Sequence, residues 1–365
     1  MKTLLVGDLS PTKLSNPYFA EKDIDALFSA GVQELFKGND INFVNLETAL
    51  TDSEEGIEKF GPCLKASGGT ADVVKALGAT VCGLSNNHIF DYGPKGVADT
   101  LAHLERVGIP YTGYGKNYDD SRKNYYVEKN GETVCLINVC EHEYSYAEGD
   151  FEGARPFDCY DTLDDIREGK KNADCVIVLY HGGKEHCRYP SPRLMKTCRA
   201  MVKAGADLVL CQHTHIIGCF EEFEGGKILY GQGNFHFSHP SFREDNDEND
   251  GWNQFLAARY DTKTKEIELI PMVNDGPMIK LAEGDLKEKI LTELAERSET
   301  IESGEWYDRW KNAVDTDFGW YVKAIGYKDA SEQDRHRLAH YLDCEAHHDI
   351  LVELFKTAHQ KKTNY

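Results

Sequence analysis

Seven side chains in this sequence are of types that hold cations and move protons: Asp8, Glu47, Asn87, His88, His181, His213 and His215. His213 and His215 flank Thr214. If the chain stays extended there, residues two apart project to one side, so both imidazoles face one site. Neutral imidazole is a ligand for zinc, iron, nickel and manganese-type centres. His181 precedes Gly182-Gly183, a pair that lets the backbone turn sharply close to a ligand. Asp8 and Glu47 bring negative charge, and a carboxylate such as Glu47 can bridge two cations. Asn87 offers a neutral oxygen beside His88, a candidate proton donor, and Asp91 can orient that imidazole. Taken singly, each has a plainer reading: an Asx-turn at Asp8, a surface glutamate, a turn at Asn87, ordinary hydrogen bonding for the histidines. Together they form a metal-hydrolase constellation. A bound cation brings the pKa of its water from about 16 to roughly 7. Proton donation to the leaving group then adds on the order of 10²–10⁴-fold.

Such a set works only if folding gathers it. Asp8, Glu47, Asn87, His181 and His213 each fall just past an apolar run that reads as a strand: Leu4–Val6, Ile41–Asn45, Thr80–Leu84, Cys175–Tyr180 and Leu208–Cys211. Ligands in open α/β sheets bind at that edge, so these signals are expected on one rim. Helices are expected over Asp23–Lys37 and over Ala71–Leu77, with Thr70 as N-cap and Gly78 as stop. Another is expected from Pro94 to Gly108, and one over about Pro192–Lys203, ending at Gly205. Further strands read at Ile109–Tyr111, on either side of Gly225-Gly226, and over Phe255–Tyr260 and Glu266–Ile270. A hairpin joins Tyr125–Glu128 to Thr133–Val139 through Asn130-Gly131. The alternation argues for an α/β architecture. Residues 243–250 read as a solvated charged loop. From Leu286 onward helical periodicity takes over, so the expected division is a main domain at 1–280 and a helical C-terminal extension at 281–365. Trp306, Trp310 and Trp320 would either pack that extension onto the main domain, the preferred reading, or anchor a partner or homo-oligomer surface.

The composition narrows the function classes. The chain has 365 residues, 41% hydrophobic, enough for a sizeable core. A formal net charge of -21 argues against general binding to nucleic acid or anionic membranes. Eleven scattered cysteines without a CxxC pair read as reduced thiols in a cytoplasmic protein. No stretch is apolar enough to span a membrane, and the N-terminal residues lack a signal-peptide h-region.

The collinear stretches Gly7-Asp8, Asn45-Leu46-Glu47-Thr48, Ser85-Asn86-Asn87-His88, Asp91-Tyr92-Gly93, His181-Gly182-Gly183-Lys184-Glu185, His213-Thr214-His215 and Gly233-Asn234-Phe235 resemble the CapA, or poly-gamma-glutamate synthesis, family. That family sits in the calcineurin-like metallophosphatase superfamily. The resemblance covers about residues 3–240 and implies a four-layer α/β/β/α sandwich. It implies one or two divalent ions (Mn, Fe or Zn). Asp8 and His215 would hold the first, Asn87, His181 and His213 the second, and Glu47 would bridge them. His88 would be the acid beside the leaving group, and Glu185 matches a family glutamate near the site. The superfamily histidine two residues after the first aspartate is Ser10 here. The function implied is a metal-dependent hydrolase acting on a phosphoester or a polyglutamate-type amide, in a small molecule or a polymer. The alternative is a non-catalytic accessory protein of polyglutamate or cell-envelope synthesis that keeps the fold.

Overall fold

The computed structural model describes residues 1–238, 251–324 and 331–356, apart from the side chains of 316–320 and 322–324. The chain builds β1 (Lys2–Leu9), β2 (Ile41–Leu46), β3 (Val81–Gly83) and β4 (Tyr111–Thr112) into one sheet. It turns to a second sheet for β5 (Tyr125–Lys129), β6 (Glu132–Cys140), β7 (Cys175–His181), β8 (Leu208–Gln212), β9 (Phe220–Phe223) and β10 (Gly226–Leu229). It then returns to the first for β11 (Asn234–His236), β12 (Gln254–Asp261), β13 (Ile267–Asp275) and β14 (Met278–Leu281). The first sheet runs β14-β13-β12-β1-β2-β3-β4, with β11 beside the end of β1; the second runs β9-β10-β8-β7-β6-β5. β1 to β4 are mutually parallel, as are β6, β7, β8 and β10.

Parallel neighbours require crossovers, and these supply α1 (Gly69–Leu77), α2 (Gly93–Val107), α3 (Asp161–Asn172) and α4 (Pro192–Ala204). Period-two alternation sorts the strand side chains into layers. Leu4, Val6 and Val44 pack with Val74 of α1 and Leu104 of α2. Leu5, Phe43 and Val81 pack with Leu136, Ile177 and Leu210 of the second sheet. Ile137, Val176 and Val209 pack with Ile166 of α3 and Met195 and Cys198 of α4. The order is helix, sheet, sheet, helix, the α/β/β/α sandwich expected. Burial on both faces is why these strands read as continuous apolar runs. None of the eleven cysteines is in a disulfide, and nine of them are buried.

Several local expectations yield to tertiary context. The Asp23–Lys37 helix is two short ones, Ile24–Leu27 and Ala30–Leu35, broken at Phe28, which is extended at φ -137°. Phe28 bridges to Ile279 of β14, and its ring stacks on Phe235 at 5.3 Å, a core contact that outweighs local helical propensity. Thr70 lies inside α1, whose N-cap is Gly68. The strand expected at Ile109–Tyr111 lies one to two residues later, and α3 was not anticipated because its sequence is largely charged. The 243–250 loop and the Trp320 side chain lie outside the described residues.

Gly7 has a definable role. A Cβ there would stand 2.1 Å from the Gly233 carbonyl oxygen, where β11 runs alongside β1. Gly7→Ala is expected to destabilise the fold by about 1–3 kcal/mol, read as a lower urea midpoint; an unchanged midpoint would contradict the tight approach.

Beyond Gly284 the described elements are all helical: α5 (Gly284–Ser303), α6 (Trp306–Ala324), α7 (Glu332–Asp343) and α8 (Glu345–Leu354). Trp310, Tyr321, Tyr341 and Ile350 form a core of their own that takes in Cys187, while Trp306 packs against the outer cluster of the second sheet. The packing role thus holds for Trp306 and Trp310. Polar contacts also tie α8 down. The Glu141 carboxylate accepts from Tyr180 Oη (3.0 Å), Arg193 (2.5 Å) and the Ala346 backbone N–H (3.2 Å). Asp349 accepts from Ser191 Oγ (2.5 Å) and Arg193 Nε (2.9 Å).

Burial raises the Asp349 carboxyl to about 6 in spite of Arg193 and Ser191. The folded state therefore binds the proton more tightly than the unfolded chain does, and stability from this group falls as pH rises from about 4 to 6. Asp349→Asn is expected to flatten that segment of the stability-versus-pH curve. Urea midpoints at pH 4, 5, 6 and 7 test it, and an identical slope in the variant would refute it.

Candidate metal centre

The site is assembled where the strand ends of the two sheets meet. Register slips by one residue at Gly7: Val6 faces Val44, and Asp8 faces Asn45. A bulge of this kind re-aims the side chain that follows it. Asp8 is fully buried; its Oδ1 accepts from Asn45 Nδ2 (2.7 Å) and its Oδ2 from the His213 backbone N–H (2.9 Å). Glu47 follows β2 and is also fully buried. His181 ends β7, with Nε2 3.0 Å from Asn87 Oδ1 and 3.3 Å from Glu47 Oε1, and Nδ1 3.5 Å from Asp8 Oδ1. Asp8, Glu47 and Asn87 thus come from the first sheet, and His181, His213 and His215 from the second. The single rim expected from strand ends is two rims facing each other.

The HxH pair also departs from expectation. β8 stops at Gln212, and His213 and His215 have φ of +75° and +59°, left-handed rather than extended. Non-glycine residues adopt that region at a cost and concentrate in it at functional sites. The Asp8 carboxylate holds the turn by accepting the His213 N–H. The rings still converge: His181 and His213 centroids are 4.7 Å apart, and those of His213 and His215 are 5.9 Å apart. Nδ1 of His215 lies 2.8 Å from Asn234 Oδ1.

Among the described residues, ligand-type atoms fall into three groups, each within 4.8 Å: Asp8, Glu47 and His215; Glu47, His181 and His213; and Glu185, His213 and His215. Glu47 belongs to two of them, as a carboxylate shared by two cations would. Among the described residues, neither Glu47 oxygen accepts a hydrogen bond of good geometry, its ion-pair contact being His181 Nε2 at 3.3 Å from Oε1, and His213 Nδ1 has no hydrogen-bond partner. A buried carboxylate left so costs several kcal/mol, roughly, unless a cation compensates it. The oxygen and nitrogen donors suit manganese, iron or zinc, so the residues present fit one or two divalent ions.

Charge coupling across the cluster is strong. Burial would raise the Asp8 carboxyl, but His181, with His215 and Asn45, holds it at about 2. Burial would lower the His181 imidazole, but Glu47 and Asp8 raise it to about 10. His213 is shifted down, by burial above all.

His88 stands at the edge of this cluster, its Nδ1 2.6 Å from Asp91 Oδ2. Asp91 is fully buried and also accepts from Lys59 Nζ (2.5 Å) and the Leu64 N–H (2.6 Å). His88 is therefore oriented by a fixed carboxylate, leaving Nε2 as the working nitrogen. Glu185 is half-buried, with Oε1 3.8 Å from His215 Nε2, beside the ligand atoms rather than beside His88.

Sequence reading did not single out Asn45, Asn234, Lys59 or Glu143. The two asparagines lie in strand-end motifs and were there to be found. Glu143 sits between His213 Nε2 (3.3 Å) and His340 Nε2 (3.6 Å), and charge from these two imidazoles overcomes burial to hold it at about 2. Nothing local marks it. A cleft of about 440 Å³ opens over the cluster, reaching from Asn87 and His88 to His340 and His347.

The chain is similar to several known proteins. The family described as bacterial capsule synthesis protein PGA_cap matches residues 2–239. The capsule biosynthesis protein CapA of Bacillus anthracis is 34% identical over 180 residues, 48% of this chain and 44% of that protein. The PGA biosynthesis protein CapA of Bacillus subtilis is 29% identical over 238 residues, 64% of this chain and 62% of that one. The chain thus spans about half the length of these curated relatives. A hypothetical protein from Thermus thermophilus superposes with a TM-score of 0.48 at 14% identity, covering 78% of this chain and 100% of that structure.

Proposed function

This chain belongs to the bacterial capsule synthesis protein family, linked to poly-glutamate capsule synthesis, and from that premise we propose that it is a metal-dependent hydrolase of a phosphoester or a glutamyl-type amide. The observation that carries the reading is Glu47, fully buried, facing His181 across 3.3 Å with no hydrogen bond to either oxygen among the described residues, and shared by two groups of ligand-type atoms. Asp8, Glu47 and His215 would hold one ion, and Glu47, His181, His213 and Asn87 the other. When bound, such ions supply Lewis acidity and make water acidic enough to serve as a nucleophile near neutral pH.

The chain's own residues supply the rest. Asn45 and Asn234 hold Asp8 and His215 in place. Asp91 accepts the Nδ1–H of His88, so that a proton on Nε2 can pass to a leaving oxygen or nitrogen. Lys59, paired with Asp91, keeps the two fixed. The test is to load the chelator-treated protein with manganese, iron or zinc and measure both metal content and hydrolysis of phosphomonoesters, phosphodiesters and γ-glutamyl peptides. Stoichiometric metal binding with metal-dependent turnover is expected; failure to retain any of these metals would refute the proposal.

We further propose a reducing, cytoplasmic compartment, a reading supported by nine buried thiols that form no disulfide. Thiol trapping in intact cells is expected to find them reduced. Among the described residues, no helix is long and apolar enough to cross a membrane.

A further inference from the structure

The family match ends at residue 239, but one wall of the cleft comes from beyond it: Tyr321 of α6, His340 and Tyr341 of α7, and His347 of α8. These rings pack against one another, His340 edge to face on His347 and Tyr341 tilted against it. His340 and His347 have centroids 4.5 Å apart, and Tyr341 and His347 4.8 Å. The outer face of the His340 ring stacks on Tyr144 at 5.1 Å. This wall is also coupled to the cluster, since Glu143 lies between His340 and His213.

Polarity differs across the cleft. Its two carboxylates, Glu143 and Glu185, stand against His213 and His215, with Glu143 also reaching His340. The opposite side presents nitrogen. Nδ1 of His347 is 2.5 Å from Tyr321 Oη. With Tyr321 Oη donating to Nδ1, the ring proton of His347 sits on Nε2. Lys59 and Lys184 line the same cleft, held by Asp91 and by the Glu185 carbonyl respectively. A chain of net charge -21 repels anions almost everywhere, and a donor-lined cleft is where an anionic group gains rather than loses.

Building on the hydrolase reading, we infer that α6 to α8 form the substrate-selecting wall, on which His347, supported by His340, donates to a carboxylate of a glutamyl chain whose scissile bond lies at the cluster. Selectivity then resides in helices that the family match does not include.

The test uses the full chain loaded with manganese and two calorimetric probes, γ-glutamyl-glutamate and its fully amidated counterpart. His347→Leu is expected to weaken the carboxylate probe by about ten- to a hundredfold, the loss of one charge-assisted hydrogen bond. Binding of the amide and of manganese should not change. His347→Gln, which keeps an N–H donor, should restore most of the affinity. His340→Leu, a second variant should the first not fold, should weaken the same probe in the same selective way. No binding of γ-glutamyl-glutamate to the wild type, equal affinity in the variants, or equal loss for both probes would overturn the inference. Hydrolysis of p-nitrophenyl phosphate, run in parallel, separates the two readings. Selective probe binding without any turnover sinks the hydrolase alone, and turnover with an indifferent His347 sinks this wall alone.

Discussion

Glu47→Gln is expected to lower metal affinity by at least about a hundredfold and to take hydrolysis to background, while metal-free protein unfolds within about 1 kcal/mol of wild type. The two halves have one cause. The Glu47 carboxylate is fully buried, accepts no hydrogen bond among the described residues, and has the His181 ring 3.3 Å from Oε1. Its charge is a liability to the fold and an asset to a cation. Glutamine keeps the shape and removes the charge. It also removes the strongest upward influence on His181, which keeps Asp8 as its remaining carboxylate partner. A structural carboxylate would behave in the opposite way, with stability lost and metal content kept. Calorimetric metal titration beside urea unfolding of chelator-treated protein distinguishes them, and a variant that still retained its metals would end the case for a shared carboxylate.

The second large effect belongs to His88. His88→Asn should leave metal content intact and reduce kcat on the order of 10²–10⁴-fold for substrates with basic leaving groups. The loss should shrink towards nothing for p-nitrophenyl phosphate, whose leaving group departs without a proton. Asp91→Asn should follow the same ranking with a smaller loss, since it removes the orientation and not the donor. His88 is 7% exposed and its Nδ1 is held by Asp91, which fits a donor rather than a ligand. Comparing kcat for phenyl and p-nitrophenyl phosphates is the direct measurement. Equal losses on both would remove His88 from the role of acid.

The two variants separate binding from proton transfer. Glu47→Gln acts on metal content first and rate second. His88→Asn acts on rate alone and depends on the leaving group. A protein that keeps the fold but performs no chemistry would show the first effect on metal and nothing in the second assay.

Much of the site was legible in the chain itself. Asp8, Glu47, Asn87, His181, His213 and His215 carry ligand chemistry in their side-chain type, and most of them lie just past short continuous apolar runs of three to six residues. The α/β alternation and the Asn130-Gly131 hairpin are local in the same sense. Tertiary structure alone decided the rest. It set the two sheets face to face, so that donors from separate rims meet. It put the HxH backbone in the left-handed region, because the Asp8 carboxylate, 205 residues away, captures the His213 N–H. It broke a helix at Phe28 to seat a ring in the core, and it brought Glu143, His340 and His347 to the cleft. Propensity and periodicity are written in neighbouring residues. Capture of a hydrogen bond or a charge across hundreds of residues exists only once the chain has closed on itself.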